Sequence, residues 1–199
     1  MLLPYLESDR LEAGCDEVGR GCLCGPVVAA AVILPADYAH ELINDSKKLS
    51  KSNRESLVLE IKNNAIAWAV AEASVEEIDQ INILNASFLA MNRAIESLTV
   101  KPAHLLIDGN RFKTKSTIPY SCIIKGDGKY ASIAAASILA KVYRDQLMCD
   151  YAETYPGYAW ESNAGYPTKA HRDGIRKMGL TPIHRKSFRH LPEQIKLDF

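Results

Sequence analysis

Asp16 with Glu17, then Asp108, then Asp127, are four carboxylates that stand where short apolar segments give way to glycine. Strand ends suit metal sites, because rigid backbone fixes the acid while the adjoining turn leaves coordination space open. Gly19, Gly109 and the Gly126/Gly128 pair follow or flank these acids, permitting turns that β-branched residues resist. Oxygen donors with no His or Cys among them select a hard ion, Mg²⁺ or Mn²⁺, over zinc. Gathered together, the four carboxylates would repel one another, and two divalent ions would cancel that charge. A single strand-end Asp is better explained by an Asx-turn. Repetition at three strand ends brings the metal centre level with that explanation.

The turn after the first acids reads Gly19-Arg20-Gly21, with Gly25 beyond it. It is neither Gly-x-Gly-x-x-Gly nor a P-loop, so a nucleotide cradle has little support. Two glycines around an arginine let backbone amides approach a ligand closely while the guanidinium meets a phosphate. The plainer alternative is a tight turn carrying a solvated Arg.

The elements that would position these groups follow from hydrophobic patterning. Leu11 to Cys15 is a short, partly apolar segment running into Asp16. Val27 to Leu34 is a continuous apolar run ended by Pro35, as a strand buried on both faces would be. Ala65 to Ala73 reads as a further strand, although its alanines also allow helix. Phe88, Met91, Ile95 and Leu98 make Ala86 to Leu98 a one-faced helix. His104 to Ile107 and Tyr120 to Ile124 are short strands, each leading to an acid in a glycine turn. Tyr130 to Met148 reads as a helix with two apolar stripes and little exposed surface. Thr168 is a candidate N-cap and Gly179 a C-terminal stop. Gly157 to Gly165 lacks periodicity and reads as a joint. The expected fold is α/β, a central mixed β-sheet flanked by helices. A core over residues 1–156 carries a mainly helical, basic C-terminal extension over residues 157–199.

With 199 residues, 47% hydrophobic and 24% charged, one domain with a sizeable core is expected. This composition excludes a disordered tail, a collagen-like fibre and a strongly cationic histone-like binder. Five cysteines form no even framework, which fits free thiols in a reducing cytoplasm. Cys22 and Cys24 are too close for a zinc knuckle. No signal-type leader is evident, and the longest apolar run, Pro26 to Ala36, is far short of the ~20 residues of a membrane span. The expectation is a soluble, cytoplasmic monomer. The zero formal net charge hides a split: residues 1–100 hold 8 Lys/Arg against 15 Asp/Glu, and residues 101–199 hold 16 against 9. Between Lys169 and Arg189 there are seven Lys/Arg and one Asp.

The hexapeptide Asp16-Glu17-Val18-Gly19-Arg20-Gly21 resembles that of the bacterial ribonuclease HII family, the type 2 ribonucleases H. The resemblance continues through GPVVAAAVIL (Gly25 to Leu34), NDSKKLS (Asn44 to Ser50), LIDGN (Leu106 to Asn110) and KGD (Lys125 to Asp127). ASILAKVYRD (Ala136 to Asp145), GYPT (Gly165 to Thr168) and HRKSF (His184 to Phe188) complete it in the family's order. It implies a ribonuclease H-like fold and a Mg²⁺- or Mn²⁺-dependent endonuclease that cuts RNA in RNA/DNA hybrids. The same resemblance implies cuts on the 5′ side of single ribonucleotides embedded in duplex DNA, as in ribonucleotide excision repair, leaving 5′-phosphate and 3′-hydroxyl ends. The family's metal-binding and catalytic acids map onto Asp16, Glu17, Asp108 and Asp127. Its glycine-arginine-glycine element, which senses the ribose 2′-OH, maps onto Gly19, Arg20 and Gly21. The junction-sensing tyrosine maps onto Tyr166, and a nucleic-acid-contacting Ser-Lys element onto Ser46 and Lys47. One metal would activate water and the other stabilise the leaving 3′-oxygen.

Other residues read more plainly. Asp145, four after Lys141, is an ion-pair partner rather than a fifth ligand. His171 would contact phosphate or cap its helix. Trp68 and Trp160 are packing residues, and Cys22 and Cys24 read as neutral substitutions beside the glycine turn, with oxidation sensitivity at Cys22 the alternative. The tail from Gln194 to Phe199 is loosely suggestive of a sliding-clamp contact. A type 3 ribonuclease H is the rival enzyme, disfavoured by Asp127 and by the absence of room for a substrate-binding domain before Asp16. A non-catalytic hybrid-binding protein is the rival of another class.

The basic cluster from Lys169 to Arg189 is expected to track phosphates. Neutralising one contacting cation should then lower the slope of log affinity against log salt by about 0.9 on duplex substrate. An unchanged slope across the cluster would remove that role.

Overall fold

The computed structural model describes residues 2–38 and 51–192, the side chains of residues 51 and 52 excepted. Ser46 and Lys47 lie outside the described residues. Five strands, β1 (Glu12–Val18), β2 (Val27–Ile33), β3 (Ala67–Ala73), β4 (His104–Asp108) and β5 (Tyr120–Ile123), form one sheet in the order β3-β2-β1-β4-β5. β2 pairs antiparallel with β1 and β3, while β4 pairs parallel with β1 and β5. The mixed sheet is the one expected, and the acids of β1 stand in its central strand. β1 runs beyond Cys15 through the acids, because its ladder with β2 extends to Val18 opposite Val28.

Helices cover both faces. α2 (Val75–Glu96) packs Ala86, Ala90, Met91, Ala94 and Ile95 against Ala13, Cys15, Ala29, Ala31 and Ile33. On the other face, α3 (Ala131–Thr154) and α1 (Lys51–Asn64) cover Val28, Ala30 and Val32. β2 is therefore buried on both sides, which is why its sequence does not alternate. Residues 131–140 of α3 are all buried, matching the two-stripe reading.

α1 and the start of α2 were not anticipated. Among the described residues of α1, Leu57 and Ile61 are buried while Leu59 is 67% exposed, so its apolar stripe is thin. α2 begins at a capping box in which the Ser74 side chain accepts from the Glu77 amide and Glu77 accepts from the Ser74 amide. Its periodicity is broken at Asn82, whose φ of 65° kinks the helix. Arg93 grips Glu77 across the kink through Nη1 at 2.8 Å and Nη2 at 2.7 Å.

The C-terminal stretch holds α4 (Trp160–Asn163) and α5 (Lys169–Met178), the latter capped by Thr168 and stopped at Gly179 as expected. Gly157 to Gly165 is anchored rather than a loose joint. Trp160 is 1% exposed and shares a small core with Leu23, Cys24, Met148, Tyr158 and Ile175. No helix among the described residues is long and apolar enough to cross a membrane.

The position of Asp16 depends on how closely α3 approaches β1, and Gly14 permits that approach. A Cβ there would lie 2.2 Å from the Ser132 carbonyl carbon and 2.3 Å from the Ile133 amide nitrogen, both backbone atoms that cannot turn aside. Gly14→Ala should therefore cost about 3 kcal/mol or more in chemical denaturation. A loss within about 0.5 kcal/mol would show that the strand and helix can separate freely.

Candidate active site

Asp16 is placed by the pleat of β1. Ala13 and Cys15 face α2, whereas Gly14 and Asp16 face α3, where Ser137 hydrogen-bonds the Asp16 carboxylate. Parallel pairing of Cys15 with Ile107 brings Asp108, the last residue of β4, beside Asp16. Glu17 follows on β1, and its amide donates to Asp16 Oδ1 at 2.7 Å. The fourth acid arrives by a turn. Lys125 takes a left-handed conformation (φ 56°) into the 3₁₀ turn Gly126–Gly128, where Asp127 is buried. The Gly126 amide donates to Asp108 Oδ1 at 2.6 Å, tying this turn to β4. A Cβ at Gly126 would stand 2.6 Å from Ile133 Cδ1, so a side chain there would require the Ile133 methyl to shift.

Burial and mutual repulsion govern the electrostatics. Burial, then Glu17, then Asp108 push the Asp16 carboxyl well above the ordinary carboxylate range, against the bonds from Ser137 and the Glu17 amide. Burial also raises Glu17, with Arg20 opposing it and Asp108 adding to it. Arg20 reaches back to Glu17 Oε1 at 3.1 Å. Its side chain is 51% exposed, so this ion pair is worth at most about 1 kcal/mol and is readily exchanged for another anion. Oxygen-only donors, partly buried and repelling, suit hard divalent cations that would supply the missing positive charge.

The Gly19–Arg20–Gly21 turn lies directly after β1, with Gly19 at φ 95°. Beside it, the Leu23 amide donates to the Gly165 carbonyl at 2.8 Å, so the turn bearing Tyr166 is laced to the glycine turn. Tyr166 is exposed, and Lys141 Nζ stands 5.9 Å from its ring centroid. Lys141 also binds Asp145 at 2.7 Å, the expected ion pair. The Gly19–Gly21 and Tyr166 elements thus form one rim next to the acids, 145 residues apart in sequence between Gly21 and Tyr166.

His171 is fully buried and does not face solvent or phosphate. Its Nδ1 bonds the Tyr166 carbonyl at 3.0 Å, and its Nε2 accepts the indole N–H of Trp160 at 2.9 Å. His184 Nδ1 accepts the Thr181 amide at 2.9 Å, leaving its Nε2 to donate to His171 Nε2 at 3.2 Å. Cys24 Sγ lies 3.9 Å from His171 Nε2, completing a Cys-His-His cluster. Indole N–H can only donate and His171 Nε2 has one lone pair, so the Trp160 and His184 N–H groups share it. Burial also holds the Cys24 thiol at about 12. The cluster is a neutral hydrogen-bonded core under Tyr166.

The alternative of oxidation sensitivity at Cys22 is not supported. The side chain is buried, its thiol is raised by burial, and its S–H donates to the Ala164 carbonyl at 3.5 Å. The basic cluster also needs revision. Arg185 is fully buried, and Lys169 and Arg176 both bind Asp173, at 2.6 and 3.0 Å. Arg144 and Arg185 were missed as site-forming residues, because a buried arginine and a phosphate-tracking one look alike in sequence.

A family model described as Ribonuclease HII matches residues 13–191. The chain is 63% identical over 199 residues to the Ribonuclease HII of Parabacteroides distasonis, covering 100% of both chains. Among solved structures it is similar to the ribonuclease H2 of Pyrococcus horikoshii OT3 (TM-score 0.76, 25% identity), covering 90% of this chain and 94% of that one. It is equally similar to RNase HII of Archaeoglobus fulgidus, solved in a complex with PCNA (TM-score 0.76, 26% identity), covering 95% and 100%. These matches decide for type 2 over type 3.

The buried imidazoles carry a pH signature. Burial first, then His171 and His190, push His184 down to about 4, and burial also lowers His171 and His190. The unfolded chain takes up these protons near pH 6.5 and the folded chain does not. Their stabilising effect is therefore complete above about pH 6.5 and lost as pH falls toward 4. Asp16 and Glu17, with raised values, act in the opposite sense. His184→Gln, which can still accept from Thr181 and donate to His171, should lose stability less steeply between these limits in denaturant melts. Parallel curves for the two proteins would refute the assignment.

Proposed function

The chain belongs to the ribonuclease HII family, metal-dependent endonucleases that hydrolyse RNA in RNA/DNA hybrids, and from that footing we propose that it also cuts on the 5′ side of single ribonucleotides in duplex DNA. One observation carries the reading. Two acids of the central strand, the terminal acid of its parallel neighbour and the acid of a turn tied to that neighbour gather beside a rim of exposed backbone and an exposed tyrosine.

Asp16, Glu17, Asp108 and Asp127 are the proposed ligands and catalytic acids. Two divalent ions bound by them, Mg²⁺ or Mn²⁺, would supply an activated water and stabilise the departing 3′-oxygen. The residues of the chain do the rest. Gly126 and Ser137 hold Asp108 and Asp16 in fixed orientations, so carboxylate geometry is prepared before substrate arrives. Backbone groups of Gly19, Arg20 and Gly21 read the 2′-OH, the group by which RNA differs from DNA at one nucleotide. Arg20, released from Glu17, meets a phosphate. Tyr166 stacks on the sugar next to the scissile phosphate. Ser46 and Lys47, outside the described residues, are proposed nucleic-acid contacts. The tail from Gln194 to Phe199, outside the described residues, is the proposed clamp contact, supported by the archaeal relative's complex with PCNA.

Two substitutions test this reading. Asp108→Asn keeps an acceptor for the Gly126 amide but removes a charge. It should lower cleavage on the order of 10²- to 10³-fold with Mg²⁺ without lowering the stability of the metal-free protein. Persistent cleavage would end the proposed role of the acids, and an inactive unmodified protein that still binds duplex would point to a binding module. Tyr166→Ala should weaken cutting at one embedded ribonucleotide by roughly tenfold more than cutting of a long hybrid. Equal losses would remove the junction-reading role.

A further inference from the structure

Arg144 and Arg185 are both fully buried, yet their guanidinium groups are met by backbone carbonyls instead of carboxylates. Arg185 donates from Nε to Gly25, from Nη1 to Arg20 and Cys22, and from Nη2 to Gly19 and Pro26, at 2.7–3.3 Å. All five guanidinium N–H groups are thereby used, on the carbonyls of a single turn. Arg144 donates from Nε to Pro26 at 3.0 Å and from Nη2 to Cys24 at 3.0 Å. Its remaining nitrogen, Nη1, donates to Ala164 at 2.7 Å, two residues before Tyr166.

Interior guanidinium charge costs several kcal/mol to desolvate, and dense carbonyl coordination offsets that cost. Burial, then the neighbouring Arg144, lowers Arg185 to about 10, which still leaves it charged at neutral pH. Peptide planarity then dictates what the outer surface presents. A carbonyl turned inward sends the amide of the next residue outward, because the two point oppositely across a trans peptide. With the Gly19 and Arg20 carbonyls fixed on Arg185, the Arg20 and Gly21 amides face the exposed side. Gly19 adds a steric reason. A Cβ there would lie 2.3 Å from Arg144 Nε, so side chain and turn fit only with glycine.

We propose that Arg144 and Arg185 are positioning residues that orient the amides of the glycine turn, lock that turn to the tyrosine turn, and so set the discrimination between ribose and other sugars at the cleaved nucleotide. This rests on the 2′-OH-reading role proposed above and extends it to two residues that touch no substrate. The carbonyl-in, amide-out arrangement also makes two buried positive charges visible through oriented peptides, favouring an anionic strand at the rim.

The test uses the full chain and two DNA duplexes, identical except that one position carries either a ribonucleotide or a 2′-fluoro nucleotide. Fluorine keeps the size of the hydroxyl but cannot donate a hydrogen bond. Arg185→Lys and Arg144→Lys retain charge and lose the planar fork. Each is checked for fold by circular dichroism and for Mn²⁺ binding by calorimetry. The unmodified protein should prefer the ribonucleotide, and in the variants the ratio of single-turnover rates should shrink about tenfold while Mn²⁺ binding is kept. Equal slowing on both substrates would overturn the proposal by making the pair merely structural. Collapse of the fold in both variants would overturn it too, by making the pair a folding determinant. An unmodified protein that cuts neither duplex would instead defeat the 2′-OH reading itself, and this inference with it.

Discussion

Like charge at the end of the central strand is the constraint on which the rest of the molecule depends. Asp16 sits on β1 between β2 and β4, so it cannot swing away from Asp108 without breaking the sheet. Burial and two neighbouring carboxylates make its ionised form costly. The fold answers locally, with Ser137 from α3, backbone amides from Glu17 and Gly126, and Arg20 folded onto Glu17. These donors orient the acids without neutralising them, and in the proposed role that deficit of positive charge would suit divalent cations. Gly14 serves the same end, because it lets α3 approach β1 closer than a side chain would allow.

The proposed recognition of substrate rests on a second, opposite constraint. Two buried cations are accommodated by turning carbonyls inward, and the outward face of the same turn is then rich in amides. Negative carboxylates and outward amides lie side by side, one suited to cations and the other to a sugar-phosphate strand. The neutral His171–Trp160–His184 core completes the rim from below by holding the Tyr166 carbonyl. The zero net charge conceals this proposed division, although Arg185, one of the basic C-terminal cations, is spent on internal bonds.

Much of this was legible in the sequence where one residue type admits one environment. The apolar run of β2 ended by Pro35 matched a buried strand, and the acids beside glycine turns were identifiable as a set before any neighbour was known. Less was legible where meaning depends on long-range partners. α1 was hidden by its thin stripe, and the first turns of α2 by the kink at Asn82. Arg185 reads as one more cation in a basic stretch until the carbonyls of Gly19 and Gly25 surround it. His171 and Cys24, 147 residues apart, gave no sign of meeting. Such burial of polar groups is set by tertiary packing, which neither periodicity nor spacing reports.

The central claim is that a cation-filled carboxylate centre and an amide-lined rim act together on a single ribonucleotide. An end-labelled cleavage map of a DNA duplex carrying one ribonucleotide, with Mg²⁺ or Mn²⁺, tests both halves at once. A single cut on the 5′ side of the ribonucleotide, leaving 3′-hydroxyl and 5′-phosphate ends, is the expected result. Cutting on its 3′ side, cutting at deoxyribonucleotides, or no cutting of a duplex that the protein demonstrably binds would contradict it.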